Sequence, residues 1–356
     1  MICTSRRNVL AASAALAATG RAVFAAENRG ASAPVGAGLK TLSPFPVGTA
    51  FSSAQFDEPD LLRLVTKNFA QVTPEWQMKM DAIQKADGAL NLKDSDIFVQ
   101  RAQASGLQVH GHALIWYLQR APYFNTLDGS RVRFEAAYAQ YIAGVAGHFS
   151  GKLRGWDVVN ECIAEDGVGY RECLWTENLT ISYVGLAFQH ARAADRKAVL
   201  FLNDYNLESN PRKRRQFLTL AESLLKQGVP LGGLGSQTHV QTSLPKGAIR
   251  ACIKELSGLG LPIHISEFDV STPKSISVMT PDLAAKKASL VEEAAEAFLA
   301  LPASQRYGFT TWGLRDGDSF INRSRSEGAL EQSPVFLDTA GIPNANMQAF
   351  LAAILR

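Results

Sequence analysis

Short apolar runs recur along the chain and alternate with longer segments in which apolar residues return every three or four positions. The runs predict strands over 46–51, 69–73, 107–112, 153–160, 198–203, 233–237, 262–266 and 307–312. The intervening periodicity predicts helices over 59–67, 94–105, 134–149, 179–195, 211–227, 247–257 and 281–301, with a last one over 344–355. Eight strands each followed by a helix is the count of a (β/α)8 TIM barrel. No low-complexity tract interrupts residues 44–356, so they are expected to form a single α/β domain. A doubly wound open sheet competes. It lacks support because no strand runs into a Gly-rich phosphate loop and no dinucleotide fingerprint is present.

Polar residues fall on this pattern unevenly. Glu75 and Lys79 follow the second run, His110 and His112 lie on the third, and Asn160 and Glu161 close the fourth. Asn203-Asp204-Tyr205-Asn206 follows the fifth, Gln237 and His239 the sixth, Glu267 and Asp269 the seventh, and Trp312 ends the eighth. In a barrel these carboxyl ends open onto one face, where chemistry is built. A carboxylate closing a buried strand must be solvated, paired or catalytic, because burying it alone is too costly. Either glutamate by itself reads as a salt-bridged strand end. Glu161 and Glu267 together match the two-carboxylate arrangement of glycoside hydrolysis, with one acid holding its proton and one nucleophile ionised. His239 is expected to hydrogen-bond Glu267, and Asn160 is suited to a sugar 2-hydroxyl. Trp116 and Trp312 offer apolar faces to a sugar ring. His110 and His112 are read as pointing to opposite faces of their strand, so no metal site and no cofactor are expected. No G-x-S-x-G elbow is present.

Composition narrows the class. The chain has 356 residues, 46% hydrophobic and 19% charged, and its formal charge of +3 gives no electrostatic case for nucleic acid or an anionic membrane. The basic cluster Arg212-Lys213-Arg214-Arg215 is read as a solvated helix face. At the amino terminus, Ser5-Arg6-Arg7-Asn8-Val9-Leu10 is a twin-arginine pattern followed by an Ala-rich stretch, with small residues for cleavage near Ala25. Residues 1–25 are therefore expected to be a signal peptide handled by the twin-arginine export machinery, and 26–43 a linker. The mature protein is expected in the periplasm or outside the cell, as a monomer with no membrane segment. After loss of Cys3, Cys162, Cys173 and Cys252 remain, an odd number. A Cys162–Cys173 bridge and three buried thiols both stay open.

At these same residues the chain resembles glycoside hydrolase family 10, the endo-β-1,4-xylanases, over essentially all of 44–356. Trp156-Asp157-Val158-Val159-Asn160-Glu161 resembles the family's acid/base strand, and His264-Ile265-Ser266-Glu267-Phe268-Asp269 its nucleophile strand. Segments 110–116, 203–206, 235–240 and 311–316 match further blocks. The resemblance implies a retaining endo-xylanase acting on xylan or xylo-oligosaccharides, with Glu161 as proton donor and Glu267 as nucleophile. It implies that Glu75, Lys79, His112, Trp116, Asn160, Gln237, His239 and Trp312 bind substrate. A related β-glycanase and a non-catalytic sugar-binding relative are the alternatives. The chain departs from the family pattern at Trp76, where an Asn is usual, at Phe320, where a Trp is usual, and at Arg315, where a small residue is usual.

Overall fold

Each apolar run becomes a strand of one closed sheet. In the computed structural model, which describes residues 36–127, 129–326 and 330–356, the strands are β1 (Val47–Phe51), β2 (Gln71–Pro74), β3 (Gln108–Trp116), β4 (Gly155–Asn160), β5 (Val199–Asp204), β6 (Gly233–Ser236), β7 (His239–Gln241), β8 (Ile263–Ser271) and β9 (Arg306–Thr311). They pair in parallel in chain order, except that β6 passes over β7 to bond β8, and β9 returns to β1. No edge is left free in that ring, which excludes the open-sheet alternative and makes a (β/α)8 barrel. The short β7 adds to β8 beyond the ring, setting His239 opposite Asp269.

The strands read as unbroken apolar runs because both faces are covered. All residues of β1, β2, β4 and β6 are buried. Helices begin where local chemistry permits. Pro59, Pro211 and Pro281 stand in first helical turns, where a missing N–H costs nothing. Asn210 caps Pro211–Lys226 by accepting from the N–H groups of Arg212 and Lys213, each at 3.1 Å. Gly111 makes room for a ring of the neighbouring strand: a Cβ there would meet the Trp156 ring at 2.2 Å.

Four expectations need correction. The domain starts before residue 44, because Leu39 in the helix Leu39–Leu42 is fully buried and its N–H donates to Asn68 Oδ1 at 3.2 Å. The end of the expected linker is therefore folded chain. The signal peptide and the remaining linker residues up to 35 lie outside the described residues. Second, His110 and His112 share a face, since residues two apart on a strand point the same way. Both turn into the barrel onto Asp157: His112 Nδ1 lies 2.8 Å from Oδ2, and His110 Nε2 3.1 Å from Oδ1, out of line for a hydrogen bond. Third, β3 and β8 run further than expected, so Trp116, Glu267 and Asp269 sit on strands rather than in loops. Fourth, the cluster 212–215 is solvated only in part: Arg212 and Arg215 are exposed, but Lys213 and Arg214 are buried, on Asp204 and Glu255 respectively.

Below the mouth, His110, Asp157 and His264 bring one ligand atom each within 4.8 Å of one another. The remaining ring nitrogens are bonded, His110 Nδ1 to the Tyr307 hydroxyl at 3.0 Å and His264 Nε2 to Thr310 Oγ1 at 2.8 Å. The group is fully buried, and the Arg154 guanidinium lies 3.9 Å over the Tyr307 ring beside it. A fixed cation there disfavours a second one, and burial together with the charges of His110 and Arg154 holds His264 well below its usual range. Among the described residues, no helix is long and apolar enough to cross a membrane.

Candidate active site

The barrel mouth holds a cleft of about 580 Å³ lined by Glu75, Lys79, His112, Trp116, Glu161, Gln237, His239, Glu267 and Trp312, together with Ser52, Trp76, Phe320 and Arg323. Nine of the ten residues picked out in the sequence are thus on its wall. The tenth, Asn160, lies beside Glu161 and donates to its Oε1 at 2.9 Å.

Strand irregularity delivers these side chains. Pairing slips between His112 and Ile115 on β3, Asp157 and Val159 on β4, and Ile265 and Phe268 on β8, all at the level of the glutamates. Of the four described non-glycine residues at positive φ, Glu161 (60°), Asn206 (58°) and Thr238 (58°) follow β4, β5 and β6 around the mouth. Such a conformation costs about 1–3 kcal/mol and persists only where the surroundings impose it.

Two amides join the carboxyl groups. Asn203 Nδ2 donates to Glu267 Oε1 at 3.0 Å and to Asn160 Oδ1 at 2.8 Å, and Asn160 passes the link to Glu161. Gln237 Nε2 adds a second donor to Glu161 Oε1 at 2.9 Å. Ser266 Oγ fixes the Asn203 amide by donating to its Oδ1 at 2.8 Å. Both donors thus meet the same oxygen, Oε1, of Glu161.

A second line of charge runs behind Glu267. His239 Nδ1 lies 2.8 Å from Asp269 Oδ2, and Nε2 lies 3.4 Å from Glu267 Oε2. Burial opposes the imidazolium, but Asp269 and Glu267 more than offset it and hold His239 well above its usual range. Burial also lifts Asp269 above the ordinary carboxylate range, against the pull of His239 and Lys287. At Asp157 burial is overcome by His110 and His112, and the carboxyl sits well below its usual value. Lys79 is lowered by burial, although Glu267, Glu75 and Glu161 pull it upward.

The aromatic residues divide. The Lys79 ammonium stands 4.8 Å from the centre of the Trp116 ring, so one face of that ring is taken by a cation. Trp312 packs edge-on to His112 at 5.3 Å and is largely buried. Trp76 is 51% exposed and Phe320 42%, which places both as open surface of the cleft. Arg323 pairs with Glu75. Arg315 instead folds back on Asp318 with two bonds of 2.9 and 3.0 Å and does not reach the cleft wall. Arg323 carried no signal in the sequence, because it meets Glu75 only through the fold. The linking role of Asn203 was within reach, since it is a buried amide ending a strand.

The family model for glycosyl hydrolase family 10 matches residues 39–353. The chain belongs to that family. An endo-1,4-beta-xylanase A of Thermotoga maritima is 32% identical over 301 residues, covering 80% of this chain and 28% of that protein. An endo-1,4-beta-xylanase A of Cellvibrio japonicus is 33% identical over 324 residues, covering 82% and 52%. The family 10 chain thus spans about half or less of the length of these curated relatives. A solved family 10 endoxylanase from a sugarcane soil metagenome superposes with a TM-score of 0.81 at 28% identity, covering 89% of this chain and 99% of that one. All three cysteines among the described residues, Cys162, Cys173 and Cys252, are buried and unpaired.

Proposed function

We propose that this family 10 chain is a retaining endo-1,4-β-xylanase that cleaves internal bonds of xylan and xylo-oligosaccharides. The observation that carries the reading is the pair Glu161, just after β4, and Glu267, on β8, facing one open cleft and linked by Asn160 and Asn203. Glu267 attacks the anomeric carbon as the bond to the leaving oxygen breaks, and Glu161 gives its proton to that oxygen. In the second half, Glu161 takes a proton from water as the water oxygen displaces Glu267 from the sugar. Two inversions at one carbon give net retention. His239 keeps positive charge beside Glu267. Asn160 has a second amide proton free to meet a 2-hydroxyl. The twin-arginine pattern supports a periplasmic or secreted enzyme.

Proton NMR of the first product released from xylo-oligosaccharides tests the mechanism. The β-anomer is expected first, and an initial α-anomer would overturn it. Hydrolysis of carboxymethylcellulose faster than xylan would move the substrate to another β-glycan.

A further inference from the structure

The strained turn at Glu161 has a dedicated anchor. The Glu161 N–H donates to the Asn203 carbonyl at 2.8 Å, which fixes one side of the residue. On the other side its carbonyl accepts from Arg171 Nε at 2.9 Å. Arg171 closes the same loop through its own N–H, which donates to the Cys162 carbonyl at 2.9 Å. Its guanidinium is held in turn. It lies 4.1 Å over the Tyr117 ring, and Nη2 donates to the Tyr205 hydroxyl at 3.0 Å. That hydroxyl donates to Glu165 Oε2 at 2.5 Å, and Asn206 Nδ2 donates to Oε1 at 2.8 Å. The Arg171 side chain is only 14% exposed. An ordinary surface pair would turn its nitrogens to a carboxylate; this one gives Nε to a backbone carbonyl and keeps Glu165 at 3.5 Å.

We propose that Arg171 is a positioning residue for the proton donor, acting on Glu161 through its backbone. By fixing the carbonyl it fixes the peptide plane, and with it the direction in which the side chain leaves the chain. Without it, the peptide after Glu161 is free to relax out of the left-handed conformation, carrying the carboxyl away from the leaving oxygen. Glu267 is held by Asn203 and His239, neither of which bonds Arg171. Loss of Arg171 should therefore damage proton donation and spare nucleophilic attack. The inference rests on the assignment of Glu161 as acid/base.

The test compares a substrate that needs the proton with one that does not. Arg171→Met is assayed on xylotetraose and on 2,4-dinitrophenyl β-xylobioside, with Tm recorded alongside. We expect kcat/KM on xylotetraose to fall about 10–100-fold, a part of what general acid catalysis supplies. On the dinitrophenyl substrate it should stay within about 3-fold of the parent. Tyr117→Leu, which removes the face under the guanidinium, should give the same pattern more weakly. Should Arg171→Met fail to fold, Arg171→Lys and Tyr117→Leu decide the matter on the same ratio. Equal losses on both substrates, or unchanged xylotetraose turnover, would overturn the proposal. A parent enzyme that cleaves cellotetraose but not xylotetraose sinks the xylanase reading instead, and the ratio is then read on the cello-substrates.

Discussion

Asp269→Asn isolates the charge behind the nucleophile. The substitution keeps the shape of the side chain and removes the carboxylate that meets His239 Nδ1 at 2.8 Å. A hydrogen bond between charged groups is worth about 1.5–3 kcal/mol. At about 1.36 kcal/mol per pKa unit, that is a drop of roughly one to two units in His239. Burial pulls in the same direction once its main opponent is gone. His239 keeps 24% of its side chain exposed on the wall of the cleft. The sign follows from the raised folded value. Stability from the imidazolium is complete below the unfolded pKa near 6.5 and is lost as pH rises through the raised folded pKa. In Asp269→Asn that loss should begin one to two units lower. An NMR titration of the His239 ring, read beside the pH dependence of Tm, measures it. A His239 midpoint unmoved by the substitution would refute the reasoning.

Two further substitutions test the assigned roles. Glu267→Ala should nearly abolish turnover on every substrate, whereas Glu161→Ala should keep the glycosylation step on activated aryl glycosides and be rescued by azide; rescue of Glu267→Ala with retention would reverse the roles. Trp76→Asn trades an exposed indole for an amide able to make a hydrogen bond worth about 0.5–1.5 kcal/mol. It should change KM or the product pattern on xylo-oligosaccharides and leave kcat on a small aryl xyloside within a few-fold; a lower Tm with unchanged oligosaccharide kinetics would end that idea.

Strand positions were legible because the barrel buries both faces of each strand, and the helices because their apolar stripes face one way. The strand ends were less so. β8 runs on to Ser271 because β7 and β9 give it partners, and partners are not visible in a single stretch of sequence. The two glutamates stood out because a carboxylate closing an apolar run has few structural uses. Lys213 and Arg214 misled for the converse reason. A basic tetrad reads as solvated until Asp204 and Glu255, supplied by β5 and a distant helix, come to meet it. Burial lifts the Asp204 carboxyl to about 6 against the pull of Lys213. His110 and His112 needed only correct strand geometry. Arg171 and Arg323 needed the fold, since each acts on a residue its local sequence does not announce.

The closing seam places Thr49 of β1 opposite Thr311 of β9. During synthesis the first strand therefore leaves the ribosome long before the partner that covers its outer edge exists. Until then an apolar strand stands with one row of N–H and C=O groups unpaired, the kind of edge that invites a neighbouring chain. The two carboxylates face a similar delay: Glu161 is made early, but its link to Glu267 waits for β5 and β8. A nascent chain halted before β8 holds the proton donor without the nucleophile, and contacts this distant in sequence make for slow closure. Aggregation of truncated chains, rather than partial activity, is the expected mark of interrupted synthesis.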